Sequence, residues 1–449
     1  MLRSLFFAAI AFHTAVAEKP NIILVLADDL GWADIGCQGN TFNETPNMDR
    51  LAAQGVRFTD FYAGPVCSPT RANLQSGRDQ ARYGITQHIP GHKRPFAKLS
   101  DPPVPLQLPL EVETVAERLG AAGYATGYFG KWHLGGEDHS PSLQGWQTAE
   151  ETKGSTRPGG GERTAAYLTG KAVEFIKRHQ DKPFLLQVSH HAVHIPLTTT
   201  PELLAKYQRK TPMPGYPSRP EYAGLLDELD QSLGRIVETV DSLGLGGKTL
   251  ILFLSDNGGL EHEQSGTVVT SNAPLRGEKG TLYEGGVRIP AIARWTGRIP
   301  AGGICRMPAI TTDFHATAAE LAGVDVPAGA LDGISLLPVL MDPAAALPRA
   351  SLFWHLPHYH HSTPAGAMRQ GDWKLIEFFE DDRLELYHLA DDPGEKRNLA
   401  QAETQRAASM RQALHDWRQS VGALMPVPNP GHDPARAGEL GKTGARRKK

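Results

Sequence analysis

Cysteine is scarce: Cys37, Cys67 and Cys305 are the only three in 449 residues. An odd, scattered set cannot make a disulfide framework, so at most one bridge is available and the fold has to rest on a hydrophobic core. Long apolar runs are also missing. After the first residues nothing approaches the roughly 18 uninterrupted apolar positions of a membrane span, which argues against stable membrane insertion through a helix. Neither sign of charge dominates. A net charge of -3 with 21% charged residues gives no bias toward nucleic acid or an anionic membrane. No repeat of fixed period is present. What the chain does have is glycine and proline, 47 and 34 of them, with 40% hydrophobic residues, the composition of a loop-rich globular protein. The length exceeds a typical single core, so one large domain plus a smaller one is expected.

The start, MLRSLFFAAIAFHTAVAEKP, has a charged residue at Arg3, an apolar core from Leu5 to Phe12 and a small-residue cleavage site at Ala15-Val16-Ala17. That pattern reads as a secretory signal peptide over residues 1–17, and it predicts a secreted or periplasmic protein. At the other end, PVPNPGHDPARAGELGKTGARRKK from Pro426 lacks apolar periodicity and ends basic, which predicts a disordered tail over 426–449.

Between them, short apolar runs at Asn21–Ala27, Tyr124–Phe129, Phe184–Ser189 and Thr249–Ser255 fit buried strands of a parallel sheet. Helical patterns separate them. The clearest is Tyr222–Leu243, where Leu225, Leu229, Leu233, Ile236, Val240 and Leu243 recur every three or four residues. Glu111–Ala122 and Thr164–Arg178 are weaker versions. Alternation of the two predicts an α/β sheet covered by helices on both faces. Each strand run is followed by polar residues: Asp28-Asp29, Lys131 and His133, His190, His191 and His194, and Asp256-Asn257. In open α/β sheets ligands bind beyond the carboxyl ends of the strands, so these clusters are expected to converge on one edge.

Taken singly, Asp28-Asp29 could cap a turn and Asp256-Asn257-Gly258-Gly259 could be a plain turn signal. At matched strand ends they offer hard oxygen donors, a set that suits Ca²⁺ or Mg²⁺ and disfavours a structural zinc. An all-protein oxygen cage favours Ca²⁺ of the two, since Mg²⁺ prefers to keep its waters. Arg71, Lys131 and Lys279, with His133 and His194, would add a fork, two point charges and two proton carriers beside that ion, a pocket suited to a tetrahedral oxyanion. Cys67 stands before Ser68-Pro69, a good N-cap and first-turn pair, so a helix is expected to begin there and its positive end would stabilise a thiolate. A cysteine hydrolase could use His133 or His194 as base. A thiol beside a hard, oxygen-ligated metal is nonetheless an awkward design, and an oxygen nucleophile fits the same pocket better.

Cys67-Ser68-Pro69-Thr70-Arg71, continuing ANLQSGR, resembles the Cys-x-Pro-x-Arg signature of the type I sulfatases, the formylglycine-dependent members of the alkaline phosphatase superfamily. The resemblance runs along nearly the whole mature chain: NIILVLADDLGW at Asn21, TPNMDRLAAQG at Thr45, GYFGKWHLG at Gly127, HAVHIPL at His191, DNGG at Asp256, LRGEKGTLYEGGVRIP at Leu275 and ELYHLADDPGEKRNLA at Glu385. Thr70 replaces the commoner Ser, and ANLQSGR departs from the usual Leu-Leu-Thr-Gly-Arg ending. The resemblance implies that a formylglycine-generating or sulfatase-maturing enzyme oxidises Cys67 to formylglycine, whose hydrate attacks sulfur. It implies one Ca²⁺ held by Asp28, Asp29, the modified Cys67, Asp256 and Asn257. Arg71, Lys131 and Lys279 would neutralise the sulfate, His194 and Lys279 would serve the leaving oxygen with His194 the better proton donor, and His133 would deprotonate the second hydroxyl to expel sulfate.

It further implies a catalytic domain over 18–349 and a smaller antiparallel subdomain over 350–425, in which MRQGDWKLIEFF and RLELYHL flank a turn at Glu380-Asp381-Asp382. At the junction lies SLFWHLPHYHHSTPAGAMR. Its Trp354, His355, His358, Tyr359, His360 and His361 are expected to form a lip that binds the sugar of a sulfated saccharide, with an incidental surface loop as the plainer reading. Two other functions remain open on the sequence: a phosphomonoesterase or phosphodiesterase of the same superfamily, which would generally use Thr or Ser and two zinc ions, and a non-catalytic glycan-binding protein.

Overall fold

A computed structural model of the chain describes residues 19–154, 163–263 and 265–441. The expected signal peptide and the last eight residues of the expected tail lie outside them. The main sheet has nine strands among the described residues, and five consecutive ones running to one edge are parallel, in the spatial order Thr249–Ser255, Asn21–Ala27, Phe184–Ser189, Ala125–Gly130, Thr148–Glu151. Arg288–Arg294 continues the sheet antiparallel to Thr249–Ser255, and Val56–Tyr62 lies antiparallel to it in turn. Three of the four strands read from the sequence keep their bounds. The fourth runs Ala125–Gly130, one residue later than expected.

These strands are apolar on both faces because both are covered. Ile22, Leu24 and Leu26 pack with Leu185, Leu250, Leu252 and Leu254 on one side. Ile23, Val25 and Ala27 pack with Leu186, Val188, Ile251 and Phe253 on the other, against the helices Thr164–Arg178 and Pro220–Ser242. The second helix opens at Pro220, two residues before the periodic run, because proline suits a first helical turn. The helix expected from Glu111 starts only at Val115. Thr114 caps it through a reciprocal pair with Glu117, which fixes the entry point and leaves Glu111 to Glu113 outside.

Register is what positions the site. Ala27 lies opposite Ser255, Leu26 opposite Ser189, and Gly130 opposite Ser189, so the carboxyl ends of four strands are level. Asp28, Asp256, His190 and Lys131 are each the next residue. Gly130 has φ 120, and a Cβ there would fall 1.9 Å from the Ser189 carbonyl oxygen, so only glycine lets that chain turn away to Lys131.

The smaller sheet has four antiparallel strands, Ser351–Leu356, Ala365–Gln370, Trp373–Phe378 and Leu384–His388. The run expected as one hairpin arm from Met368 is two strands. Gln370 pairs with Trp373 across a two-residue turn with Gly371 at φ 57. One face packs Met368, Leu375 and Leu386 on the helix Thr404–Val421. The other packs Trp354, Ile376 and Phe378 against Tyr62, Leu282 and Val287 of the large domain. Buried Lys374 bonds Glu284 at 2.8 Å and Glu395 at 3.0 Å at this seam.

The tail expectation needs correction up to residue 441. Val427–Pro428 pairs antiparallel with Leu99–Ser100, Asn429 N donates to Lys98 O at 3.0 Å, and the Arg436 guanidinium stacks 3.5 Å from the Phe96 ring centroid. Composition forecasts the absence of an apolar core, but here backbone pairing and a cation–π contact supply the order instead. Among the described residues no helix is long and apolar enough to cross a membrane, and all three cysteines are free.

Candidate active site

At the level strand ends the charges interlock. Lys131 Nζ donates to Asp28 Oδ2 at 2.5 Å, and Lys279 Nζ lies 2.7 and 2.8 Å from the two oxygens of Asp29. Arg71 gives Nη2 and Nε to Asp256 Oδ2 at 2.7 and 3.1 Å and Nη1 to the Lys131 carbonyl. Asn257 Nδ2 donates to Asp29 Oδ1 at 2.8 Å, and Asp29 N to Asp256 Oδ1 at 3.2 Å. Burial alone would raise the Asp28 and Asp29 carboxyls, yet Lys131 and Lys279 respectively, with His194, hold both below the usual carboxylate range. Asp29 and His133 sit at φ 63 and 60, conformations that cost a non-glycine residue about 1–3 kcal/mol and are kept where surrounding structure imposes them.

Two buried oxygens in this lattice have no hydrogen-bond partner, Asp28 Oδ1 and Asn257 Oδ1. An unpaired buried acceptor costs about 1–3 kcal/mol. Donor atoms of Asp28, Asp29, Cys67 and His194 also lie within 4.8 Å of one another. A hard divalent cation fits this set: it would use the spare oxygens that no protein donor reaches.

Cys67 is the first residue of the helix Cys67–Ser76, 2% exposed at the floor of a cavity of about 1220 Å³. The sequence placed the helix start two residues late. Val66 takes the cap position without a side-chain bond, and Ser68 is already helical. The Ser68 hydroxyl is spent elsewhere, donating to the His133 carbonyl at 3.0 Å and accepting from Ile89 N at 3.1 Å, so it ties two cavity loops together. The expected thiolate is corrected as well. Burial pushes the unmodified thiol up to about 11 despite Lys131 and Lys279, which leaves it protonated and weakly nucleophilic near neutral pH.

His133 and His194 both line the cavity. His133 Nε2 donates to the Ile89 carbonyl at 2.6 Å, which leaves Nδ1, a buried atom without a partner, as a lone-pair acceptor. Burial and the Lys131 charge bring this imidazole down to about 3, so it is neutral at physiological pH. His194 donates Nδ1–H to the Ile195 carbonyl at 2.5 Å and sets Nε2 3.6 Å from Asp29 Oδ2. Burial and Lys279 lower it too. It can donate from Nε2 only after taking up a proton, whereas Lys279, raised by its Asp29 partner against the effect of burial, is already charged.

The family model described as Sulfatase matches residues 20–324. The chain belongs to the sulfatase family. It is a type I sulfatase of the alkaline phosphatase superfamily, a sulfuric ester hydrolase, and a second model, the C-terminal region of N-sulphoglucosamine sulphohydrolase, matches residues 277–420. It is 33% identical to arylsulfatase A of Homo sapiens over 87% of this chain and 85% of that one. It is 30% identical to N-acetylgalactosamine-6-sulfatase of Sus scrofa over 92% and 88%. Among solved structures, Ps i-CgsB in complex with k-i-k-neocarrahexaose superposes with a TM-score of 0.77 and 26% identity, covering 93% of this sulfatase and 96% of that chain.

The rim of the sulfatase cavity departs from the sequence reading. His360 and His361 line it, but His355 and His358 do not. Both are fully buried: His355 Nε2 meets the Leu424 carbonyl at 2.8 Å, and His358 Nε2 meets Thr86 Oγ1 at 2.8 Å. Trp354 and Tyr359 are buried as well, Trp354 donating to the Ala63 carbonyl at 2.9 Å. The physical reason is the strand Ser351–Leu356, which turns Trp354 into the domain seam and His355, on the opposite face, toward Phe379 and Leu424 of the smaller domain, and lets only the end of the segment reach the cavity. Two rim histidines escaped sequence reading, His88 and His92 in QHIPGHKRP. Their His-x-x-x-His spacing beside Pro90 and Gly91 was the available signal. His191 also lines the cavity, whereas His190 is buried against Ser232.

Proposed function

We propose that this sulfatase is exported and removes O-sulfate groups from a carbohydrate through a formylglycine made from Cys67, with one Ca²⁺ at the acidic cluster. The observation that carries the reading is the placement of Cys67 at the cavity floor, beside three cations and an oxygen-donor set with two unsatisfied atoms. Asp28, Asp29, Asp256, Asn257 and position 67 would hold the ion. When bound, Ca²⁺ would supply charge neutralisation for a sulfate oxygen and for the nucleophile. Formylglycine would supply a hydrated aldehyde, one hydroxyl for attack and a second for release.

The chain's own residues do the rest. Arg71, Lys131 and Lys279 converge on the floor and neutralise the sulfate, each kept charged by a carboxylate partner. His133 Nδ1 is the free base that takes a proton, its ring held by the Ile89 carbonyl. Lys279 and His194 are assigned to the leaving oxygen, Lys279 as the standing cation and His194 through Nε2.

Support for a sugar comes from the cavity, too large for a small aryl sulfate alone and lined by imidazoles that suit hydroxyls and acid groups. The similar structure that holds k-i-k-neocarrahexaose and the relative named N-acetylgalactosamine-6-sulfatase lean the same way. His361 is the rim residue proposed to bind it directly. Export rests on Arg3, Leu5–Phe12 and Ala15-Val16-Ala17. The test is release of inorganic sulfate from a panel of sulfated mono- and oligosaccharides by protein coexpressed with a formylglycine-generating enzyme. Desulfation of at least one saccharide with kcat/KM above that for an aryl sulfate is expected. Faster cleavage of phosphate esters, or none of any saccharide beside brisk aryl sulfate hydrolysis, would overturn it.

A further inference from the structure

His88, His92 and His360 meet on the cavity wall, one donor nitrogen of each lying within 4.8 Å of the others. Their ring centroids are 4.5, 4.9 and 5.4 Å apart, and His92 stacks on His360 with planes 18° apart. Other histidines of this region are committed: His361 Nδ1 bonds the Lys279 carbonyl at 2.8 Å, His358 bonds Thr86 and His355 bonds Leu424 O. His88 Nδ1 and His360 Nδ1 are instead buried without a partner. Space for the His360 ring is built into the chain. Gly280, at φ 78, passes so close that a Cβ would fall 1.8 Å from His360 Nδ1.

We infer that His88, His92 and His360 form a second metal site, separate from the oxygen cluster, that takes a late first-row divalent ion of the Zn²⁺ class. Three imidazoles and no carboxylate are the donor set that favours such an ion over Ca²⁺. Tetrahedral bonds of about 2.0–2.1 Å would bring the nitrogens to about 3.3 Å from one another, a contraction within reach of side-chain rotation. A metal binds neutral imidazole, and burial favours the neutral form of each of these rings. All three residues line the cavity, so the fourth position faces it and is open to water or to an anionic oxygen of a bound ligand.

The site does not depend on the chemistry at Cys67, so its test reads binding and not turnover. Full-length protein saturated with Ca²⁺ is titrated with Zn²⁺ by calorimetry, and with Co²⁺ by visible absorption. One equivalent of Zn²⁺ is expected to bind with Ca²⁺ retained, and Co²⁺ should show the ligand-field bands of an imidazole site. His88→Gln and His92→Gln should each weaken Zn²⁺ at least about tenfold while keeping Ca²⁺. Both rings are only partly buried, so these variants keep the fold where His360→Ala would disturb packing. Zn²⁺ binding unchanged in both variants, no saturable Zn²⁺ binding in the micromolar range, or Zn²⁺ that enters only by displacing Ca²⁺ would overturn the site.

Discussion

The floor and the rim of the cavity are built by different means. The acids and Lys131 of the floor follow strands of one sheet and Cys67 opens one helix, so strand register sets most of its geometry. Asp28, Lys131 and Asp256 meet because Ala27, Gly130 and Ser255 end level. The rim is assembled from loops, the segment around His88 to His92 and the stretch after Leu356, whose meeting no register dictates. The floor is also charge-saturated, each cation on a carboxylate, whereas the rim gathers the imidazoles of His88, His92, His360 and His361. A floor of this kind fixes the reaction, and a rim of this kind is free to choose the substrate.

Mutations should separate the two. Cys67→Ala is expected to abolish sulfate release from every substrate while leaving the melting temperature within a few degrees. Activity comparable to the matured wild type would remove Cys67 from the chemistry. Asp28→Ala or Asp256→Ala should lose Ca²⁺ on metal analysis and, with it, most turnover, again irrespective of substrate. Two tightly bound zincs in the acidic cluster, with Ca²⁺ absent, would move the floor toward the phosphatase reading. His133→Ala should lower kcat by about a hundredfold to ten-thousandfold, the usual worth of a general base, and equally for aryl and saccharide sulfates. An unchanged kcat would leave Nδ1 without that role.

The rim should behave otherwise. His361→Ala is expected to cut kcat/KM on the preferred saccharide about tenfold and barely touch a small aryl sulfate. Equal losses on both would place His361 with the floor. His358→Ala, by contrast, should lower the melting temperature through its lost bond to Thr86 and leave the ratio of the two substrates unchanged. A shift in that ratio would return His358 to the substrate.

The same contrast explains what could be read in advance. Asn21–Ala27, Phe184–Ser189 and Thr249–Ser255 were legible to the residue because a strand buried on both faces is a continuous apolar run. The acids and Lys131 followed from the strand-end rule, and family motifs added Arg71, Lys279 and their assignments. The helix at Cys67 was misread by two residues because Ser68-Pro69 looks like a cap locally, while the structure uses Ser68 to hold the His133 and Ile89 loops. The histidine stretch was legible as composition but not as orientation. Whether His355 faces sugar or the interior of the smaller domain depends on which face of its strand it occupies, and His88 and His92 lie in a stretch with no periodicity. The ordered part of the tail was hidden for a related reason: backbone pairing leaves no trace in hydrophobic pattern.

Intact-mass analysis of the native protein, followed by sequencing of the peptide that contains Cys67, tests the central claim most directly. Conversion of cysteine to formylglycine should lower the mass by about 18 Da, confined to position 67, in proportion to specific activity across preparations. Fully active protein that carries an unmodified thiol at Cys67 would contradict it.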